Sequence, residues 1–574
     1  MSNENAQSNN KSLLKSGLLL SLMTFMSRIM GLLREMTKAA FLGTSMYADA
    51  FTTAFMIPNL LRRLFAENAV SAAFIPTFKK YLSKGDEQEN RRQTQEFLKS
   101  TFTLVSFLTA CIVVLGIAIT PFITPIFCKK PIDPYNITLF VHFKMWLASN
   151  MPALFTPPVI PSAEDYAAQI QSWLSKKNEI TVLTRIMFPY LFVISIAAFF
   201  QGILNGCKIF APSGFTPVLF NGIVIAGTYI LSPFTENPAR AMSFGVIVGG
   251  IVQALFQLPF VLKTKWSVCF TSLKKTFTNP GTKKVVALIV PTIIGMAAYQ
   301  LNDLVSTAIA SRTGDGIVSS LQYSIRLQEL ILGIFAVSIG TVILPDLSGL
   351  ANSKRWEEFN NMLIQAIKIM TLISIPVTVY SLITGKELIS LLYKSKKFDD
   401  ESVRLTLGVF HFHISGLLFI ALNRIISPAF YSQGNTKLPT LAGILSFGAN
   451  IVLVFILSKF MGGNGIALGL TLASLINTIF LFAFMKKMKS MNIRRIAKST
   501  IIYIIKICIY SAIAALPCIR LHPIIVRVFA SYKRIIAFGM PVMLTAILFG
   551  TIGVVELVIT KDEIVKAIFR KVKR

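Results

Sequence analysis

The chain is a succession of apolar runs, each of a length that can cross a bilayer, separated by shorter polar stretches rich in Lys, Arg, Gly and Pro. A spanning helix needs ~20 mostly apolar residues, and charge or Gly/Pro clusters mark where such a run ends. By that criterion fourteen helices are predicted, near residues 16–43, 48–78, 97–127, 181–207, 214–233, 239–262, 284–311, 316–346, 358–385, 403–432, 438–458, 463–486, 499–519 and 535–560. The pattern predicts an all-α polytopic membrane protein with about 14 transmembrane helices. Charges interrupt the first, second and eighth runs, and those charges carry the chemistry.

Composition agrees with this picture. Of 574 residues, 53% are apolar and 14% charged, and the mean hydropathy is +0.64, so little chain is left for a separate globular domain. The net charge of +31, from 57 Lys and Arg against 26 Asp and Glu, would suggest nucleic acid in a soluble protein. In a membrane protein its distribution decides. With the N-terminus inside, the inward segments 79–99, 263–284, 486–498 and 561–574 each hold six Lys or Arg, and all inward segments together hold 30 against 17 outside. The positive-inside rule then places both termini in the cytoplasm, and an even number of spans agrees. The polar start, residues 1–10, lacks the apolar core and cleavage site of a secretory signal, so the first helix is expected to be retained. The tail 554–574 ends in a basic amphipathic stretch that reads as a lipid-surface anchor.

Two organisational features stand out. Residues 128–180 form a Pro-rich outward segment, expected to be an extracytoplasmic insertion. The second run ends Phe74-Ile75-Pro76 and the eighth Ile343-Leu344-Pro345, and the span after each leads to an outer basic pair, Lys129-Lys130 and Lys396-Lys397. This weak repeat predicts two six-helix lobes, parallel repeats, at 1–262 and 285–488. A basic cytoplasmic linker, 263–284, joins them, and two extra helices with the basic tail occupy 489–574.

A Lys or Arg at the centre of a span costs ~2.5–3.5 kcal/mol on insertion scales, so residues that carry this cost usually face a watery cavity. The first run contains Ser27-Arg28-Ile29-Met30-Gly31-Leu32-Leu33-Arg34-Glu35. Arg28 and Glu35, seven apart, share one helical face with Gly31 between them, and Arg34 lies about a third of a turn away. The second run adds Asp49, then Pro58-Asn59-Leu60-Leu61-Arg62-Arg63 and Glu67. The seventh carries Gln300, Asn302 and Asp303, and the eighth Gln322, Arg326 and Glu329. Arg63, Lys38 and Lys368 read best as paired with acids or snorkelling to headgroups. For Arg28, Arg34, Arg62 and Arg326 the cation count exceeds the nearby acids, and guanidinium forks suit bidentate contact with phosphate oxygens. A cationic cavity between the lobes for a phosphate-bearing ligand is the expectation, with Gly31 and Pro58 as hinge candidates, since Pro58 removes a helical hydrogen bond.

These residues resemble a family. Ser27-Arg28-Ile29-x-Gly31-x-x-Arg34-Glu35, Asp49-Ala50-Phe51, Ile57-Pro58-Asn59-Leu60-Leu61-Arg62-Arg63-Leu64-Phe65-Ala66-Glu67 and Ala73-Phe74-Ile75-Pro76 look like the opening of the MurJ (MviN) lipid II flippases. The likeness continues through Gln300-Leu301-Asn302, Tyr323-x-x-Arg326-Leu327, Gly340-Thr341-Val342-Ile343-Leu344-Pro345 and Ala429-Phe430-Tyr431-Ser432-x-Gly434-Asn435-Thr436-Lys437-x-Pro439. The resemblance implies membership of the multidrug/oligosaccharidyl-lipid/polysaccharide exporter superfamily and a place in the bacterial inner membrane. It implies transfer of the undecaprenyl-pyrophosphate-linked peptidoglycan precursor, lipid II, from inner to outer leaflet by alternating access, for cell wall synthesis. It puts Arg28, Arg34, Arg62 and Arg326 in the substrate cavity and makes Glu35 and Glu67 gating ion-pair candidates, with Ser27 and Asp49 grouped beside them. Lipid II and membrane lipids are the implied partners, with peptidoglycan synthases as further candidates. Three features depart from the family's pattern, the first being that the segment from Cys128 to Glu179 is longer than the family norm. Asn68 stands where the family usually has Gly, and Ser306 stands where some members place an acid near a cation, which argues against sodium coupling.

No cofactor, metal or nucleic-acid partner is expected, and no enzymatic activity. The six Cys show no paired spacing, and His411 and His413 point to different helical faces. Gly462-Gly463-Asn464-Gly465 lacks the Lys-Ser/Thr of a phosphate loop and, with Gly465-x-x-x-Gly469 and Gly245-x-x-x-Gly249, predicts close helix packing. An exporter of another lipid-linked glycan or of drugs is the rival within the superfamily. Asp399-Asp400-Glu401 keeps open a membrane polyprenyl-phosphate transferase using a metal-diphosphate site.

Overall fold

A computed structural model describes residues 2–68, 73–83, 88–134, 139–150, 160–488 and 490–566. In chain order its α-helices are α1 (Ser2–Leu42), α2 (Met46–Leu61), α3 (Ile75–Leu82), α4 (Gln88–Ile123), α5 (Leu139–Asn150), α6 (Ala163–Met187), α7 (Pro189–Gly206), α8 (Ala211–Leu231), α9 (Pro238–Lys263) and α10 (Leu273–Thr278). They continue as α11 (Pro280–Thr313), α12 (Ile317–Asn352), α13 (Trp356–Tyr393), α14 (Asp400–Ser415), α15 (Leu417–Tyr431), α16 (Lys437–Met461), α17 (Gly463–Met485), α18 (Ile493–Phe529) and α19 (Arg534–Ile559). The protein is an all-helical membrane protein. Among the described residues ten helices are long and apolar enough to cross a bilayer. The first, second, seventh and eighth expected spans are not among the ten; they correspond to α1, α2, α11 and α12, where the charged and polar positions of interest lie.

The chain forms two compact units. One comprises residues 49–292 with 311–313; the other comprises residues 1–48, 293–310 and 314–574. In the first, an aromatic cluster ties α3, α4 and α7 together: Phe74 stacks on Phe78 at 5.5 Å and on Phe97 at 5.8 Å, and lies 4.8 Å from Phe199. Lipid tails are as apolar as Leu, so helices in a bilayer associate through close packing of small residues. Gly245 and Gly249 of α9 provide that surface against α8. A Cβ on Gly245 would stand 3.2 Å from the Val224 backbone, and one on Gly249 2.9 Å from the Phe220 ring. In the second unit Gly465 and Gly469 of α17 do the same against α16; a Cβ on Gly465 would meet the Leu457 carbonyl oxygen at 2.1 Å.

One helix starts well before the hydropathy pattern. The fourth apolar run begins near residue 181, but α6 begins at Ala163. Ser162 caps it by accepting from the Asp165 N–H at 3.2 Å, and Glu164 and Asp165 in its first turn complement the helix dipole. The extension is polar because much of it is exposed, so helix formation there leaves no apolar run to read. Of the Pro-rich segment 128–180, expected to be an extracytoplasmic insertion, residues 135–138 and 151–159 lie outside the description.

Several helices end in a left-handed residue. Lys208 after α7, Lys265 after α9, Lys354 after α12 and Lys561 after α19 have φ of 63°, 63°, 54° and 52°. The glycines in this region are Gly43, Gly316, Gly434 and Gly462.

The C-terminal helices α18 and α19 pack on α13 through a buried polar contact. His522 Nε2 lies 3.0 Å from Glu387 Oε2, and its Nδ1 lies 2.8 Å from Thr545 Oγ1. All three residues are buried. His522→Leu is expected to destabilise the protein by roughly 3 kcal/mol or more, because it leaves the Glu387 carboxylate buried without the imidazole. Thermal unfolding in detergent checks this; a midpoint equal to wild type would show that the contact does not hold α18 and α19 in place.

Candidate functional site

The charged residues of α1 and α12 meet within one unit. Glu35 is 3% exposed. Its Oε2 lies 2.8 Å from Lys38 Nζ, and its Oε1 lies 2.9 Å from Arg34 Nη2 and 3.9 Å from Arg326 Nε. Arg326 in turn donates to Glu329 through Nη1 at 2.8 Å. One unit pair at 4 Å is worth ~4 kcal/mol at an effective dielectric near 20, about the several kcal/mol per ion that burial costs. One cation would therefore barely offset the burial of Glu35, whereas three hold it firmly.

Aromatic side chains wall this cluster. Lys38 Nζ stands 4.5 Å over the Tyr323 ring, a cation–π contact that strengthens as water is excluded. The Tyr323 hydroxyl donates to the Gly43 carbonyl at 2.9 Å. Tyr393 and Phe398 pack on Tyr323 with ring centroids 5.0 and 5.4 Å away. Gly43 itself is pinned: it has φ of 59°, and a Cβ there would meet the Lys397 carbonyl oxygen at 2.1 Å. The loop that ends α1 thus fixes the height of Lys38 and Glu35 against α12.

Arg28 lies further along α1, half-buried, with its guanidinium on the bare backbone of Gly333 in α12. A Cβ at Gly333 would sit 1.5 Å from Arg28 Nη1. Arg28, Arg34, Lys38 and Arg326 set against Glu35 and Glu329 leave these six side chains with a net charge of +2. Such a surplus of hydrogen-bond donors in a low-dielectric setting suits an anionic, oxygen-rich ligand, above all a phosphate.

The remaining expected residues fall as follows. Ser27 and Gly31 are half-buried on α1. Asp49 is fully buried in the first turn of α2, where the helix dipole favours an acid. Pro58 lies inside α2, which runs on to Leu61 and continues without a break as a π-helix, Arg62–Asn68. Wider turns of this kind recur at functional sites. Within it Arg62 Nε donates to Asn59 Oδ1 at 2.9 Å. The Glu67 side chain lies outside the described part of the structure. Arg62, Pro58 and Asp49 belong to one compact unit, while Arg28, Arg34 and Arg326 belong to the other.

Elsewhere, Asn450 of α16 donates through Nδ2 to Asn302 Oδ1 at 2.5 Å and to Ser306 Oγ at 3.3 Å. Each acid of Asp399-Asp400-Glu401 has a structural role. Asp399 caps α14 by accepting from the Ser402 N–H at 2.9 Å, which holds its carboxyl below the usual range. Asp400 pairs with Lys394 and Glu401 with Arg404, both at 2.5 Å. Tyr323 stands in the sequence only within the Tyr323-x-x-Arg326-Leu327 resemblance, with no spacing that ties it to Lys38; Tyr393 has no such signal, and that of Gly333 is a glycine inside a long helix.

Comparison with known proteins gives this cluster a context. The family described as "Lipid II flippase MurJ" matches residues 38–145 and 137–534. A curated Treponema pallidum protein named as a probable lipid II flippase MurJ is 41% identical over 565 residues, covering 98% of each chain. A Vibrio cholerae protein of the same name is 32% identical over 478 residues, 82% of each chain. Among solved structures, a lipid II flippase MurJ in an inward closed conformation superposes with a TM-score of 0.69 at 24% identity, covering 94% of this chain and 99% of that one. An inward-facing multidrug resistance transporter of the MATE family, from the MOP superfamily, superposes with a TM-score of 0.55 at 14% identity, over 83% and 95% of the two chains. The two structures speak for the fold; matches that run nearly end to end at up to 41% identity go further, and by them the chain belongs to the MurJ lipid II flippase family.

Proposed function

We propose that this protein flips lipid II, the undecaprenyl-pyrophosphate-linked peptidoglycan precursor, from the inner to the outer leaflet of the bacterial cytoplasmic membrane by alternating access. The observation that carries the reading is the 41% identity over 98% of the chain to a probable lipid II flippase, joined to a cation surplus inside a membrane helix pair where a pyrophosphate needs it. Arg28, Arg34 and Arg326 bind the pyrophosphate and headgroup, and Glu35 holds Arg34, Lys38 and Arg326 in place while no substrate is present. Arg62 is assigned to the same task on its sequence motif. The reading includes fourteen spans, with α1, α2, α11 and α12 counted among them, and both termini in the cytoplasm. Peptidoglycan synthases are the natural consumers of the flipped product, since they polymerise it on the outer surface. The direct test is a leaflet-resolved lipid II assay in cells depleted of their own flippase. Supplying this chain should move lipid II outward; continued accumulation on the inner leaflet would refute the reading, and outward movement of a different lipid-linked glycan would favour the superfamily rival.

Gly333 gives a sharper test of the Arg28 assignment. Ala is the better helix former by about 0.8–1 kcal/mol, and the group it displaces is the end of a flexible side chain, so Gly333→Ala should fold at least as well as wild type. It should nevertheless bind lipid II about tenfold more weakly, the loss of about one charge-assisted hydrogen bond. Unchanged affinity would remove Arg28 from the substrate contacts.

A further inference from the structure

The basic linker between α9 and α11 is more than a connection with a charge bias. Its inner side is strapped to α4. The Gln95 side chain makes two hydrogen bonds to the Ser267 backbone, donating from Nε2 to the carbonyl at 2.5 Å and accepting the N–H on Oε1 at 3.1 Å. The Thr271 N–H donates to Thr103 Oγ1 at 3.0 Å. Phe270 lies 4.9 Å from Phe102, and Trp266 meets Phe78 edge-on at 6.2 Å. These contacts fix the backbone, so the outward side is a defined surface.

That surface mixes charge and grease. Lys263, Lys265, Lys274, Lys275, Lys283 and Lys284 are all exposed. Between them Phe270 is 67% exposed, Phe277 50% and Leu273 40%. No Asp or Glu occurs between Glu236 and Asp303, so nothing acidic in this stretch of sequence neutralises the lysines. The flanking helices show where the surface lies. Leu255 and Leu262 at the end of α9, and Val286 and Leu288 at the start of α11, are exposed apolar residues. The linker begins where that apolar belt stops.

We propose that this linker is an anionic-phospholipid docking surface, with Phe270, Leu273 and Phe277 inserted at the headgroup–acyl boundary and the lysines on the phosphates. Interleaved aromatic and cationic residues are the chemistry of an interfacial anchor. A protein partner would have to cover large apolar side chains that sit at the level of the lipid headgroups. The inference rests on the membrane placement given above, and it does not depend on what the protein transports.

The test uses the full chain in nanodiscs, either of phosphatidylcholine alone or containing phosphatidylglycerol, with amide hydrogen exchange followed over residues 264–279. Exchange should be at least about fivefold slower with the anionic lipid, and the difference should shrink as salt rises. The variant K263Q/K265Q/K274Q/K275Q should exchange equally in both lipids, and Phe270→Ser with Phe277→Ser should exchange faster in both. The wild-type lipid and salt comparison stands even if a variant fails to fold. Equal exchange of the wild-type protein in the two lipids would overturn the proposal, as would protection that appears only when a cytoplasmic protein fraction is added. Because exchange is read without transport, failure of the flippase reading would leave this contrast intact.

Discussion

Replacing Arg28, Arg34, Arg62 and Arg326 together by Gln is expected to abolish rescue of a flippase-depleted bacterium while the protein still inserts into the membrane. A hydrogen bond to a charged group contributes ~1.5–3 kcal/mol, so four lost contacts amount to more than ~6 kcal/mol, or upwards of about 10⁴-fold in affinity. Insertion should survive because each change removes a charge that costs ~2.5–3.5 kcal/mol at a span centre. Growth and the membrane level of the protein are measured side by side. Normal growth of the quadruple variant would eliminate the cationic site; absence of the protein from the membrane would instead show that these arginines are needed for assembly, against the insertion argument. Arg62 tested alone separates its role from the three arginines that lie together in the other compact unit.

The second large effect concerns the acid that holds the cluster. Glu35→Gln leaves Lys38, 3% exposed, without the carboxylate 2.8 Å away, and removes the shared counter-charge of Arg34 and Arg326. Breaking a buried pair from one side costs about 3–5 kcal/mol. The expected result is a large fall in the unfolding midpoint in detergent, partly restored by Lys38→Met in the same chain. Restoration is the informative part, because it separates an uncompensated buried cation from simple loss of packing. If Glu35→Gln unfolds at the wild-type temperature, Glu35 is not the keystone of the cluster.

Much of this architecture was legible in the chain because apolar runs of spanning length leave few alternatives. The charged positions were legible for the opposite reason: a membrane tolerates so few that each is conspicuous. Face arithmetic was less reliable. Arg34 sits off the Arg28–Glu35 face by helical angle, yet its long side chain reaches the adjacent Glu35. The cation–π wall over Lys38 brings residues 285 positions apart into contact, and the His522–Glu387 contact spans 135; neither leaves a local spacing to detect. The polar start of α6 has no apolar run at all. The π-helix Arg62–Asn68 is a matter of backbone hydrogen-bond register, which composition cannot express.

The left-handed lysines have a meaning that energy alone would not suggest. A side chain in that backbone region costs roughly 1–2 kcal/mol that glycine avoids, and glycine is used at Gly43, Gly316, Gly434 and Gly462. In the fourteen-span reading Gly43, Gly316 and Gly462 face the outside and Gly434 the cytoplasm, the side on which Lys208, Lys265, Lys354 and Lys561 all lie. Each lysine puts a cation at the negative end of a helix dipole and on the side where cations oppose translocation. Lys→Gly at these four turns would therefore relax the finished fold while weakening the instruction that orients the nascent chain. On that reading the strain belongs to biogenesis: at these corners the sequence serves the moment of insertion at the expense of the state that follows it.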